Sequence, residues 1–389
     1  MRQNSGADTK SFASVGTFWC NHFSFRNGGG LGATDPRPLF STLENFSMKK
    51  TLIALAAVAA TGAAFAQSSV TMFGIVDIGV TSIDQGDERI TSVSNEGQAS
   101  NRLGFRGVED LGGGMRASFW LEGGFSADTG VGAGGGGGFA FNRRATLGLS
   151  GGFGEVRLGR DYTPTFYNHS AYTVFGTNGL GNSLNTFTVL GSGATTGVRA
   201  DNAVSYFTPT IAGFQGQLMV SAKESAASNT PNEYVGARVV YNAGPLSASL
   251  ATASEGSNIQ TESYKRTNLG ATYDFGMAKL WLFYNQGKFG ALKDKQLALG
   301  VTAPVGPGTV KASYLKADVD NSANGANHIT LGYDYPLSKR TVVYGVFSRV
   351  TNDGASTFSA NYAGSGAGAV GVTSGGNSTG YGIGIRHNF

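Results

Sequence analysis

Stretches of eight or nine residues in this chain alternate apolar with small or polar side chains without a break. "TNLGATYDF" puts Leu269, Ala271, Tyr273 and Phe275 on one side, and Asn268, Gly270, Thr272 and Asp274 on the other. "QLALGVTA" repeats this with Leu297, Leu299 and Val301 against Gln296, Ala298, Gly300 and Thr302. "VGARVVYN" sets Val235, Ala237, Val239 and Tyr241 against Gly236, Arg238 and Val240. Side chains of an extended chain point to opposite faces in turn, so a period of two means strands with two unlike faces. A strand of roughly ten residues is also long enough to cross a bilayer at a tilt. Only 14% of residues are charged and 61 of 389 are Gly, which leaves little from which to build an ordinary soluble surface. A hydrophobic fraction of 40% is in turn too low for a bundle of membrane helices.

The connections between strands come in two kinds. Short Gly- or Pro-containing turns read as LGGG at 111–114, GGFG at 151–154, TIAGF at 210–214, NAGP at 242–245, DFGM at 274–277, PVGPG at 304–308 and YPLSKR at 335–340. Longer polar segments lie near 82–100, 126–138, 161–200, 222–233, 253–263, 287–295, 318–327 and 350–378. Seven short turns and eight long loops join sixteen strands, with both chain ends on the short-turn side. The final stretch "YGIGIRHNF" alternates up to its last residue, although chain ends are usually frayed and polar. An all-β, transmembrane antiparallel β-barrel of 16 strands accounts for this, because in hydrocarbon the last strand must pair with the first, near "VTMFGIVDIGV" at 70–80. A soluble β-sandwich would also alternate, but it does not call for this asymmetry of turn and loop length.

The start of the chain is of another kind. "MKKTLIALAAVAATGAAFAQ" opens at Met48 with two lysines, continues through an apolar run too short to span a bilayer, and ends in Ala64, Phe65, Ala66. This is the pattern of a secretory signal peptide, residues 48–66, which leaves 67–389 as the mature domain. Residues 1–47 precede a complete export signal and are read as an upstream extension, untranslated or without function. Without residues 1–66 the chain keeps 23 Lys and Arg against 22 Asp and Glu, so the basic balance of the whole sequence is misleading. Cys20 is the one cysteine and leaves with the leader, which excludes a disulfide framework and thiol chemistry.

Four segments in this order carry a resemblance: "SSVTMFGIVDIGV", "NRLGFRGVEDLGGGMRASFWLE", "FNRRATLGLSGGFGEVRLGRDYTPTFY" and "GIRHNF". The chain from Gln67 to Phe389 resembles the trimeric general porins of Gram-negative bacteria, of the kind found in β-proteobacteria. The resemblance implies a homotrimer in the outer membrane, in contact with its lipid and lipopolysaccharide, passing ions and small hydrophilic solutes through a water-filled channel. It implies a long third loop folded into the lumen, facing an arginine ladder that matches Arg102, Arg143 and Arg199, with Arg160 and Tyr162 at the root of that loop. It also implies that the outer-membrane assembly machinery reads Tyr381, Ile383, Ile385, His387 and Phe389.

Strand parity bears on the same residues. With Leu103 and Phe105 outward, Arg102 and Arg106 face the lumen; with Ala117, Phe119 and Leu121 outward, Trp120 and Glu122 do. An arginine on the lipid face near the midplane would cost roughly 2 to 4 kcal/mol. In the third hairpin the family motif selects Arg143, whereas outward Ala145, Leu147 and Leu149 select Arg144, and both stay as candidates. The segment between Asp161 and Asp201 contains no Asp or Glu, so the arginines are opposed only by wall acids such as Glu122 and Asp77, and a weak preference for anions is expected.

Other motifs carry no chemistry. "GVGAGG" at 130–135 has the spacing of a dinucleotide loop but sits in a glycine run with no helix after it. His169, His328 and His387 lack metal-ligand spacing, and no Gly-x-Ser-x-Gly elbow occurs. No catalytic residue, cofactor, metal or nucleic-acid partner is expected. An adhesin or receptor acting through its surface loops, or a solute-specific channel, is the alternative. The signal pattern predicts that the exported protein begins at Gln67; N-terminal analysis of the outer-membrane form checks this, and recovery of residues 1–47 on it would refute it.

Overall fold

The computed structural model describes residues 69–86, 88–222, 234–257, 262–360 and 372–389, so the expectations for residues 1–66 lie outside it. The chain forms one antiparallel sheet of strand segments β1 (Ser69–Asp84), β2 (Arg89–Asn95), β3 (Arg102–Gly112), β4 (Met115–Gly124), β5 (Arg144–Gly151), β6 (Gly154–Tyr162), β7 (Arg199–Phe207), β8 (Phe214–Ser221), β9 (Tyr234–Ala243), β10 (Leu246–Glu255), β11 (Tyr264–Asp274), β12 (Lys279–Phe289), β13 (Leu292–Val305), β14 (Gly308–Val319), β15 (Gly325–Pro336), β16 (Thr341–Asp353) and β17 (Asn377–Asn388). These seventeen segments make sixteen staves. β3 pairs with the first half of β1 (Ile75 opposite Arg102) and β2 with the second half (Ile78 opposite Asn95), so β2 and β3 are one broken stave.

β17 pairs with β16 on one side and with β1 on the other, which closes the barrel. Gly74 and Phe389 exchange two backbone hydrogen bonds of 3.1 Å, and the Phe389 ring lies over Gly74 on the outer face. Tyr381, Ile383 and Ile385 share that face and are exposed, and the His387 ring meets the Thr341 hydroxyl at 2.9 Å. All round the barrel the exposed positions are large and apolar, among them Met72, Leu147, Leu218, Leu269, Leu299 and Ile329. A surface so continuously apolar is at home in lipid rather than in water.

All seven short turns fall where the sequence placed them. Of the long segments, 223–233, 258–261 and 361–371 lie outside the described residues, and two others differ from the expectation. Residues 287–295 are not a loop: β12 and β13 run on to a two-residue turn, with Phe289 opposite Leu292. Their polarity marks strands that rise above the apolar belt into water, and not a loss of strand structure. Residues 82–100 contain the β1–β2 hairpin, after which 96–101 bends into the barrel. Asp77 organises that bend by accepting the backbone N–H groups of Gln98 and Ala99 at 2.7 and 2.8 Å, and the Tyr344 hydroxyl also donates to it.

Residues 163–198, between β6 and β7, fold inside the lumen and begin with helix α1 (Pro164–Ala171). Thr163 caps the helix, accepting from the Phe166 N–H, and Pro164 occupies the first turn, where no donor is missed. α1 docks on β8 to β11, and residues 180–183 reach β13, β15, β16 and β17. Asn168 bonds the Ser249 and Asn268 carbonyls, Gln296 bonds the Ser183 carbonyl at 2.7 Å, and the Ser348 hydroxyl donates to the Leu180 carbonyl. The apolar core therefore lies between this loop and the wall, with Tyr172 against Phe283 and Leu315, and Phe175 and Leu180 against Tyr344 and Val346.

Two glycines make room for it. A β-carbon at Gly270 would lie 2.2 Å from the Tyr172 ring, and one at Gly300 would lie 2.2 Å from the Val174 side chain. Gly270→Val is expected to cost about 1 to 3 kcal/mol in overpacking and to unseat the loop, read as a larger single-channel conductance than the parent's. Phe389→Asp is expected to reduce the yield of heat-modifiable barrel well below that of an Asn388 variant, because only Phe389 packs on the closing seam; equal yields would contradict this.

Candidate functional site: an arginine-lined constriction

β3, β4, β5, β6 and β7 bring their inward residues to one side of the lumen, opposite the seated loop. Glu122 on β4 is the centre: it accepts from Arg143 Nε at 2.7 Å, has Arg102 Nη1 at 3.5 Å, and receives the Trp120 indole N–H at 3.1 Å. The Tyr162 hydroxyl accepts from Arg143 at 2.6 Å and from Arg199 at 3.1 Å, and the Arg199 guanidinium lies 4.6 Å from the Tyr162 ring centre. Arg102, Arg143 and Arg199 thus form one cluster. Across from them the loop presents Phe166, Tyr167, Ser170, Thr177, Asn178 and Leu184, all uncharged, and the space between is a cavity of about 500 Å³.

Arg143 and Arg144 both reach the lumen. Arg144 opens β5 on its inward face, 3.4 Å from Asp161 and 4.6 Å from the Trp120 ring. Arg143 precedes the strand, so alternation does not bind it, and its side chain turns inward to Glu122. Arg106 stacks 5.2 Å from both Phe73 and Trp120. A second tier lies below the loop, where Arg144, Arg157 and Arg238 line a cavity of about 430 Å³. Arg157 pairs with Asp161 at 2.6 Å and with Glu155 at 3.0 Å, and Arg238 donates to the Asn168 side chain at 2.8 Å.

Two candidates sit elsewhere. Arg160 stands opposite Ala145, on the register of outward Leu158, and is engaged by Asp201 and the Asn142 carbonyl instead of the cluster. Asp77 is fully buried, and its oxygens are taken up by Gln98, Ala99 and Tyr344, so it holds the inward bend and does not face the channel. Conversely, Arg157, Arg238 and Glu96 were not singled out from the sequence. Parity could have found Arg157, between outward Val156 and Leu158, and Arg238, which shares a face with Gly236. Glu96 could not be found this way, because its inward position follows from the bend at 96–101.

The charge balance at the surface differs from that of the residues counted together. Six arginines line the two cavities, whereas only Glu96 and Glu155 do so among the acids. Glu122 and Asp161 are 2% and 1% exposed, held behind the guanidiniums they orient. His169 on α1 is buried and meets the Ser183 hydroxyl at 2.7 Å; burial pushes its imidazole down to about 3, so the loop carries no charge there at neutral pH. Among the described residues no cluster of His, Cys, Asp and Glu could hold a metal.

The sequence matches the family described as Gram-negative porin over residues 51–355. It is 43% identical to outer membrane porin protein 32 of Delftia acidovorans, over 88% of this chain and all of that protein, and 30% identical to an outer membrane porin protein of Bordetella pertussis, with the same coverage. The barrel is similar to an anion-selective porin from Comamonas acidovorans, with a TM-score of 0.74, 39% identity, and coverage of 83% of this chain and all of that one. All three are described as porins. The closed sixteen-stranded barrel, with its apolar outer belt and a polar lumen narrowed by its own loop, agrees with these matches, and the chain belongs to the Gram-negative porin family, as an outer-membrane protein that forms a passive channel.

Proposed function

We propose that this channel prefers anions, passing small negatively charged hydrophilic solutes more readily than cations, and that it works as a homotrimer exported by residues 48–66 and assembled through its terminal strand. One observation carries the preference: six arginines line the constriction and the tier below it, while Glu122 and Asp161 lie behind them and the loop opposite is uncharged. An ion entering a narrow pore gives up part of its hydration, so fixed charge at the narrowest point shifts the entry energy of cations and anions in opposite directions. At an effective dielectric constant of about 20, one charge some 4 Å from the ion is worth on the order of 4 kcal/mol before screening. A Debye length of about 8 Å at physiological salt reduces this in a wet pore, so the preference is modest. The similar porin of Comamonas acidovorans is described as anion-selective, which agrees with this reading.

Reversal potentials across a KCl gradient are expected to carry the sign of chloride preference. Replacing Arg102 and Arg199 together with neutral residues is expected to move them toward the cation side, because both guanidiniums face the cavity while Glu122 keeps Arg143. A parent channel that is already clearly cation-selective would overturn the proposal and assign control to carboxylates at the mouths.

A further inference from the structure

One carboxylate stands in front at the constriction. Glu96 lines the same cavity as Arg102, Arg143 and Arg199, and among the described residues no Lys or Arg comes within ion-pairing distance of it. Glu122 differs, since it is buried behind Arg102 and Arg143 and paired with both. Glu96 is only half-buried. Its backbone has a φ of +60°, a left-handed conformation that glutamate adopts at a cost and asparagine far more readily. The Glu96 N–H donates to the Asp77 carbonyl at 3.0 Å, and further along the bend the Ser100 hydroxyl donates to the Asn178 side chain of the loop opposite at 2.7 Å. The bend is therefore pinned both to the wall and to the loop, and it carries this carboxylate into the channel at a fixed position.

The charged and titratable groups around it come from several elements: Asp77 from β1, Arg102 from β3, Arg143 ahead of β5, Tyr162 from β6 and Arg199 from β7. Gln98, on the same bend, accepts from Arg386 of β17 and donates to Asp334 of β15. Burial raises the Glu96 carboxyl above its ordinary value of 4.5; Arg143, the Ser100 hydroxyl and Arg102 pull against that rise, and the rise prevails. At pH 4.5 the group is then more than half protonated. The histidines add no charge to the constriction in this range. His169 is neutral down to about pH 3, His328 is buried against the Ser348 hydroxyl, and His387 meets Thr341 on the closing strand.

We propose that Glu96 sets the degree of anion preference: ionised, it offsets one of the three guanidiniums of the constriction, and protonated, it removes the one counter-charge in front of them. Anions are then favoured more in mild acid than at neutral pH. This rests on the reading that the arginine-lined channel prefers anions, and it adds a control that the arginines alone do not have, because guanidiniums keep their charge throughout. A fixed negative charge beside the path raises the entry energy of an anion and lowers that of a cation, so its removal moves both toward chloride. Screening in a wet pore limits the change to about twofold in the chloride-to-potassium permeability ratio.

The test measures reversal potentials in planar bilayers, across one KCl gradient, at about pH 7.5 and about pH 4.5, for the parent barrel and for E96Q, E96N and E96D. The parent's permeability ratio is expected to rise about twofold toward chloride on acidification. E96Q is expected to show the raised ratio already at neutral pH and to shift no further. E96D keeps a titrating carboxylate and is expected to retain the parent's response, and E109Q, near the short turn after β3, to leave that response unchanged. Heat modifiability verifies assembly; if E96Q does not assemble, E96N, which suits a left-handed backbone, is expected to fold and to give the result expected of E96Q. A pH response that persists in the glutamine and asparagine variants would overturn the proposal, and so would a parent whose ratio does not move with pH. A parent that prefers potassium at neutral pH, with a pH response that E96Q abolishes, would overturn the anion preference and support the assignment of Glu96.

Discussion

The pairing of Gly74 with Phe389 is the contact on which the barrel depends. In hydrocarbon an unpaired N–H or C=O has no water to fall back on, so a sheet that crosses the membrane must have no edge. The ladder between β1 and β17, from Ile75 opposite Asn388 to Asp84 opposite Thr379, removes that edge, and the two 3.1 Å hydrogen bonds between Gly74 and Phe389 complete it. The outer aromatic of the seam covers a glycine: with no side chain at Gly74, the Phe389 ring lies directly on the backbone.

A closed sheet of sixteen staves encloses more space than its own side chains fill, and the chain uses 163–198 to occupy it. The loop is held as a folded core is held, by apolar packing of Tyr172, Phe175 and Leu180 and by hydrogen bonds from Asn168, Gln296 and Ser348. On the opposite side the bend at 96–101, tied to Asp77, narrows the lumen further. Channel width is therefore set by two inward segments seated on a rigid wall, and not by the barrel's circumference.

Charge in the channel is decided by which groups are in front. Arginines and carboxylates are nearly balanced on the β3–β7 wall, but Glu122 and Asp161 are desolvated and spent on orienting guanidiniums, whose outer edges stay in the cavity. A guanidinium has five donors, so it can be pinned from behind by one carboxylate and still present N–H groups to a passing ion. Aromatic faces at Tyr162 and Trp120 hold Arg199 and Arg144 without cancelling their charge.

Strand existence, strand number, the short turns and the inward face of Arg102, Arg106, Trp120 and Glu122 were legible in the sequence, because a period of two is a local property and lipid enforces it on every stave. Where that enforcement ends, so did legibility. Residues 287–295 read as a loop because above the apolar belt both faces of a strand become polar. Arg143 escaped parity because it precedes β5, and Arg160 was assigned to the constriction by resemblance, although its register with Ala145 turns it away. The burial of Asp77 and the inward position of Glu96 depend on a bend that pairs residues some twenty positions apart. The sequence by itself determined a membrane barrel with arginines on its inner wall. Only the tertiary structure decided which charges reach the water, because that depends on which carboxylates the packing places behind them.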